Sequence, residues 1–214
     1  MLRPSRLLVG LLPAALAAAT PALAHPHVWI ATRAELDYGP DGVLRAVRHA
    51  WTFDPTYSAF AIQGLSQSTT GPVNPAALAA LARDNAENLA DNAYFTVLKV
   101  NGRKVDLGAA AEPAMTFSDG QLTLRFTLPL KTPVAGTASL EVYDPTYFVA
   151  FSLAEGGEVA TLVGAPAACR VTAHRPKTTA PAPAATGMSE AFFEAITAAS
   201  TYGVQFANRI VVAC

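Results

Sequence analysis

Cysteine is scarce in this chain: Cys169 and Cys214 are the only two among 214 residues. They form no Cys-x-x-Cys pair, so the spacing gives a thiolate metal site no support. Charge is scarce as well, at 14% of residues with a net value of −1, and two of the basic residues, Arg3 and Arg6, lie at the very start. A nucleic-acid-binding surface needs a basic excess that is not there. No apolar run suits a retained transmembrane helix, because the one near the start, 7–20, is short and is interrupted by Pro13. Catalytic signatures are missing too: there is no His-Glu-x-x-His, no Gly-x-Ser-x-Gly, no glycine-rich phosphate loop and no dinucleotide fingerprint. Gly39 and Gly42 belong to a turn. These absences point away from an enzyme, from a nucleic-acid partner and from stable membrane insertion.

What is present begins with a leader. Arg3 and Arg6, the apolar 7–20 stretch and Ala22-Leu23-Ala24 have the order of a secretory signal peptide, 1–24, cleaved after Ala24. The exported chain then starts His25-Pro26-His27, and no cysteine at the cleavage point offers a lipid anchor. A free α-amine titrates near pH ~8 and sits beside two imidazoles, so a metal can displace its remaining protons and chelate. Pro26 removes a backbone N–H, which blocks the square-planar grip that copper or nickel takes through deprotonated amides. A metal here must use the amine, His25, His27 and groups from elsewhere. The plainer alternative is a chance histidine at a cleavage site, with His27 an exposed strand residue. In an oxidising compartment Cys169 and Cys214 read as one disulfide, with a pair of thiolate ligands as the competing idea.

The pattern along the chain is α+β: an antiparallel sheet or sandwich-like core of several hairpins, two inserted helices and a C-terminal helix. Val28, Ile30, Ala34 and Leu36 alternate with polar residues, a turn covers 38–42, and 43–53 resumes the alternation. Pairing Leu36 near Leu44 would put His27 opposite Phe53 and His25 near Asp54. Segments 55–65 and 75–92 read as helices, the second with Leu78, Leu81, Ala82 and Leu89 on its apolar face. Asn101-Gly102 and Asp119-Gly120 mark hairpins between 94–100 and 103–107 and between 114–118 and 122–130. Further strands are expected over 138–143, 147–153, 159–163 and 169–174. The main domain is thus 25–174. A Pro/Ala/Thr-rich linker follows at 175–187, then a C-terminal helix and strand at 188–214, tied back by the disulfide. Within that last part 189–200 is the helix, with Ser189 as its N-cap, and 204–212 the apolar segment.

One tetrapeptide occurs twice. Asp54-Pro55-Thr56-Tyr57 returns as Asp144-Pro145-Thr146-Tyr147, with Ala59-Phe60 and Ala150-Phe151 following. The copies are too far apart for a stacked repeat, and they read as two equivalent strand ends. Asp54 and Asp144 are candidate oxygen ligands that would complete a mixed nitrogen and oxygen site for zinc, nickel or cobalt. Aspartate before proline is also a helix cap or strand terminator, and for Asp54 the two roles are equally open. His49 shares a face with Val47, Trp51 and Phe53 and reads as a packed histidine; His174 reads as a surface residue.

The set His25-Pro26-His27-Val28-Trp29-Ile30, Trp51-Thr52-Phe53-Asp54 with Tyr57-Ser58, Tyr94-Phe95-Thr96, Glu141-Val142-Tyr143-Asp144-Pro145 with Tyr147, and Gln205-Phe206-Ala207-Asn208-Arg209 before Cys214 resembles an uncharacterised bacterial periplasmic family encoded beside nickel/cobalt-efflux-type permeases. The resemblance runs along the whole exported chain. It implies a periplasmic accessory of a transition-metal transport system, with zinc for some relatives and nickel or cobalt for others, and an inner-membrane permease as partner. Relatives carry an acidic, calcium-loop-like stretch before the second helix. Here 67–74 holds no acid, so no calcium site is expected. The resulting expectation is a non-enzymatic metal-binding protein that captures or presents a divalent ion. A copper-dependent oxidative enzyme built on the N-terminal histidine is the enzymatic alternative, and a permease partner that binds no metal is the structural one. Copper(I) handling is disfavoured, because only Met115 and Met188 follow the leader.

Overall fold

Two β-sheets share one apolar core. The computed structural model describes residues 26–63, 65, 73–176 and 202–214; the expected leader, His25, most of the linker and the 189–200 helix lie outside them. Strand β1 (Val28–Tyr38) turns into β2 (Leu44–Phe53), and two helices follow, α1 (Pro55–Ala61) and α2 (Pro75–Ala90). Then come β3 (Thr96–Val100), β4 (Arg103–Lys104), β5 (Ala111–Ser118), β6 (Gln121–Val134), β7 (Ala138–Val142), β8 (Val149–Leu153), β9 (Ala160–Val163) and β10 (Arg170–His174). A 3-10 turn (Tyr202–Phe206) leads into β11 (Asn208–Ala213).

The first sheet has the order β5-β6-β2-β1-β8, with β9 also on β1; the second is β10-β11-β7-β3-β4. Alternation decides which face is buried. Leu36, Val47, Trp51, Leu124 and Phe126 from the first sheet meet Leu98, Leu140, Ile210 and Val212 from the second in a single buried cluster, whose removal from water supplies the main drive to fold. Two buried polar contacts join the sheets: Asn208 donates to the Phe151 carbonyl at 2.7 Å, and the Thr96 hydroxyl lies 3.3 Å from His49 Nε2. Helix α2 buries Ala82 and Ala86 and lies against β5, with Asn74 as its N-cap.

The hairpin turns follow their dipeptides. Asn101-Gly102 and Asp119-Gly120 all take positive φ, from +50° to +77°, as a turn matched to the strand twist requires. Three expectations need correction. The first sheet is mixed, because β1 pairs parallel with both β8 and β9. The β1–β2 ladder is also displaced by three residues: Leu36 faces Val47, and Phe53 faces Ile30. The reason is a shorter connection, in which Tyr38 already pairs with Leu44 and Gly39 N–H bonds the Val43 carbonyl at 2.9 Å. The strand expected to begin at Tyr94 begins at Thr96. Ala93, Tyr94 and Phe95 form a left-handed turn with φ of 48–53°, conformations that non-glycine residues hold only where packing enforces them.

The disulfide Cys169–Cys214 is formed. It fixes the end of β11 to the start of β10, its antiparallel partner. Among the described residues no helix is long and apolar enough to cross a membrane.

Candidate functional site

The start of β1 is where the sequence places its metal chemistry. His27 is exposed, yet its position is set on the backbone: its N–H donates to the Phe148 carbonyl at 2.9 Å, and its ring lies 4.6 Å from the Phe148 ring. Pairing of Val28 with Val149 and of Trp29 with Ala150 continues this contact into the parallel β1–β8 ladder. Trp29 and Phe148 are themselves about half exposed, at 53% and 46%, so His27 has an aromatic surround open to solvent. Phe148 escapes a reading by sequence alone, since it sits 121 positions from His27; its one local signal is that it follows the second Asp-Pro-Thr-Tyr copy.

The expected register would bring Asp54 near His25; the observed ladder sets it opposite Trp29. Trp29 N–H donates to Asp54 Oδ2 at 3.1 Å, and Asp54 N–H returns a bond to the Trp29 carbonyl at 2.9 Å. The other carboxylate oxygen accepts from Tyr57 N–H at 2.9 Å as the N-cap of α1, and Pro55 starts the helix. Such a cap is worth about 1 kcal/mol. The Tyr57 ring stacks on Phe53 at 4.8 Å; burial first, and the Asp54 charge second, hold its phenol above the usual pKa.

Asp144 is buried and occupied in a related way. Oδ1 accepts from both the amide and the hydroxyl of Thr146 at 2.8 Å, and Oδ2 accepts from Val149 N–H at 3.0 Å. The two aspartates therefore pin the starts of neighbouring parallel strands, β1 at Trp29 and β8 at Val149. A carboxylate oxygen that accepts one bond keeps a second lone pair, which holds for both oxygens of Asp54 and for Oδ2 of Asp144, while Asp144 Oδ1 already accepts two. Among the described residues no group of three or more His, Cys, Asp or Glu side chains is arranged to hold a metal ion.

The remaining histidines separate as expected. His49 is enclosed by Trp51, Phe126 and Thr96, and burial pushes its pKa down to about 3. It is neutral at physiological pH. Thr96 Oγ donates to the Tyr94 carbonyl at 2.7 Å, which leaves the proton in the His49–Thr96 contact to Nε2. His174 is exposed on β10.

A protein of Spirochaeta aurantia, described as an uncharacterized 15.5 kDa protein in the trpE 3' region, is 30% identical over 92 residues, or 40% of this chain and 63% of that relative. The chain thus spans less than two thirds of that relative's length. A model of proteins of unknown function, DUF1007, matches residues 10–214. With a match that takes in every strand from β1 to β11 and both cysteines of the disulfide, the chain belongs to the DUF1007 family.

Proposed function

We infer that this chain is a non-enzymatic periplasmic metal-binding accessory that captures zinc, or nickel or cobalt, and presents it to an inner-membrane permease. The carrying observation is His27: an exposed imidazole on a backbone fixed by Phe148, directly after Pro26 and His25. Cleavage after Ala24 would add a free amine and the His25 ring to that imidazole, a nitrogen-rich chelate suited to all three metals. Asp54 and Asp144 are proposed to supply oxygen through the lone pairs that their amide contacts leave unused. The exposed Trp29 and Phe148 beside His27 would let a partner approach the ion without disturbing the fold. The bond from Cys169 to Cys214 suits an oxidising compartment. The association with a permease comes from the family resemblance.

Metal-binding calorimetry on protein whose N-terminus has been verified as His25 tests this reading. His25→Ala and His27→Ala should each weaken zinc or nickel binding at least tenfold, about 1.4 kcal/mol, with unchanged thermal unfolding of the apoprotein. Asp54→Asn and Asp144→Asn should each weaken binding less. Parent-like affinity in both histidine variants would remove the chelate, and parent-like affinity in both asparagine variants would assign the aspartates to strand pinning alone.

A further inference from the structure

On the outer face of the first sheet, away from the core, lies an open groove of about 470 Å³, within the size range of small-ligand sites. Its floor is small: Ala50 on β2 and Ala114 on β5. One row of the ladder crosses it. Ala114 pairs with Arg125, Arg125 with Ala50 and Ala50 with Arg33, and Glu158 stands just before β9, the strand that continues the sheet beside β1. Each wall therefore carries one cation and one anion, Arg33 and Glu158 on one side, Arg125 and Glu112 on the other.

These charges do not neutralise one another. Among the described residues none of the four takes part in an ion pair. Arg33 is instead held by three backbone carbonyls, those of Glu155, Gly156 and Glu158, at 2.6–2.9 Å, and acts as a strut for that wall. Arg125, which lines the groove, has a single hydrogen bond, to the Thr116 hydroxyl at 3.3 Å, so among the described residues most of its N–H donors are uncommitted. Glu112 stands at a break in the β5–β6 register with φ of +54°, and bulges of this kind re-aim a side chain at the cost of local strain. At the end of the groove Arg48 is already matched by Glu35 and Asp37.

We propose that this groove binds a zwitterionic ligand of dipeptide size, its carboxylate on Arg125 and its ammonium on Glu158 of the opposite wall. An anion alone would meet Glu112 and Glu158, and a cation alone would meet Arg33 and Arg125. A ligand with both charges at its two ends satisfies both walls. An extended dipeptide is at most ~7 Å long, and strands β6 and β9 stand about 14 Å apart, three strand spacings; the long Arg125 and Glu158 side chains close the difference. The alanine floor admits small side chains. The site is independent of the metal reading: His27 is not among its lining residues and stands six residues, about 20 Å, along the strand from Arg33.

The test is calorimetry of the whole exported chain with dialanine, its N-acetyl derivative and its C-terminal amide. Saturable binding of dialanine with a dissociation constant below about 1 mM is expected, weakened at least tenfold by either blocked end. Arg125→Gln should remove discrimination against the amide, and Glu158→Gln discrimination against the N-acetyl form, with circular dichroism unchanged in both. Absence of saturable binding by dialanine, equal affinity for the blocked forms, or parent-like discrimination in both variants overturns the proposal.

Discussion

The same four residues, Asp-Pro-Thr-Tyr, make a helix start at 54–57 and a compact turn at 144–147. Both aspartates pin a strand through Oδ2, so the difference lies in what the backbone meets next. After Asp54, Ser58 N–H bonds the Asp54 carbonyl at 3.0 Å, the buried Ser58 hydroxyl accepts from Leu122 N–H on β6, and α1 continues. After Asp144 the 202–206 turn lies on top. Gly203 N–H takes the Pro145 carbonyl at 2.8 Å, Phe206 stacks on Tyr147 at 3.9 Å, and Tyr147 takes φ of +59° to send the chain into β8. An identical local sequence therefore takes its structure from its cover, a tertiary override of local preference.

Mutations can break that contrast, and the largest effect belongs to the covered copy. Asp144→Ala leaves Thr146 and Val149 donors without their acceptor in a buried site and should cost about 3 kcal/mol in urea unfolding. Gly203→Ala should cost about 2 kcal/mol, because its Cβ would run into the Asp144 carbonyl; spare room there would show as parent-like stability. Asp54→Ala removes a half-exposed cap and one strand contact, and about 1.5 kcal/mol is expected from the cap scale. If Asp54→Ala proves as damaging as Asp144→Ala, cover does not set the two copies apart.

Acid sharpens the comparison by adding a term that belongs to neither copy. His49 is neutral when folded, with a pKa of about 3 against 6.5 for the free side chain. Above pH ~6.5 both states are neutral and it has no effect. Below that, the unfolded chain takes up a proton that the folded chain refuses, so stability falls by up to about 1.4 kcal/mol per pH unit until pH nears 3. No charged side chain appears among the contacts described for His49. His49→Leu should therefore flatten this arm of the stability–pH curve, measured by thermal melts between pH 7 and pH 4. An unchanged slope would mean that His49 is charged in the fold.

Local chemistry carried the fold far. The alternation of β1 and β2, the Asn-Gly and Asp-Gly turns and the apolar stripe of α2 follow from neighbouring residues and appear in the molecule, with helix α1 ending at Ala61 rather than near 65, and the Cys169–Cys214 bond follows from there being only two cysteines. Register was the weak point, since Tyr38-Gly39-Pro40-Asp41-Gly42 admits connections of several lengths and each extra residue shifts every partner. The neighbourhood of His27 was only partly legible for the same reason. Its contact with Phe148 and the parallel pairing of β1 with β8 depend on chain separated by more than a hundred residues, which no periodicity encodes. The left-handed 93–95 turn was hidden because its conformation is imposed by packing.

The parallel placement of β8 and β9 against β1 also fixes an order of events in folding. The β1–β2 hairpin can close as soon as its own residues exist, but the other edge of β1 stays unpaired until 149–163 arrive. Pairings of such long sequence separation form slowly, because the chain between them must lose its freedom before any contact compensates. Until then β1 presents an open strand edge, the usual template for aggregation. The strand made first is thus among the last to be completed.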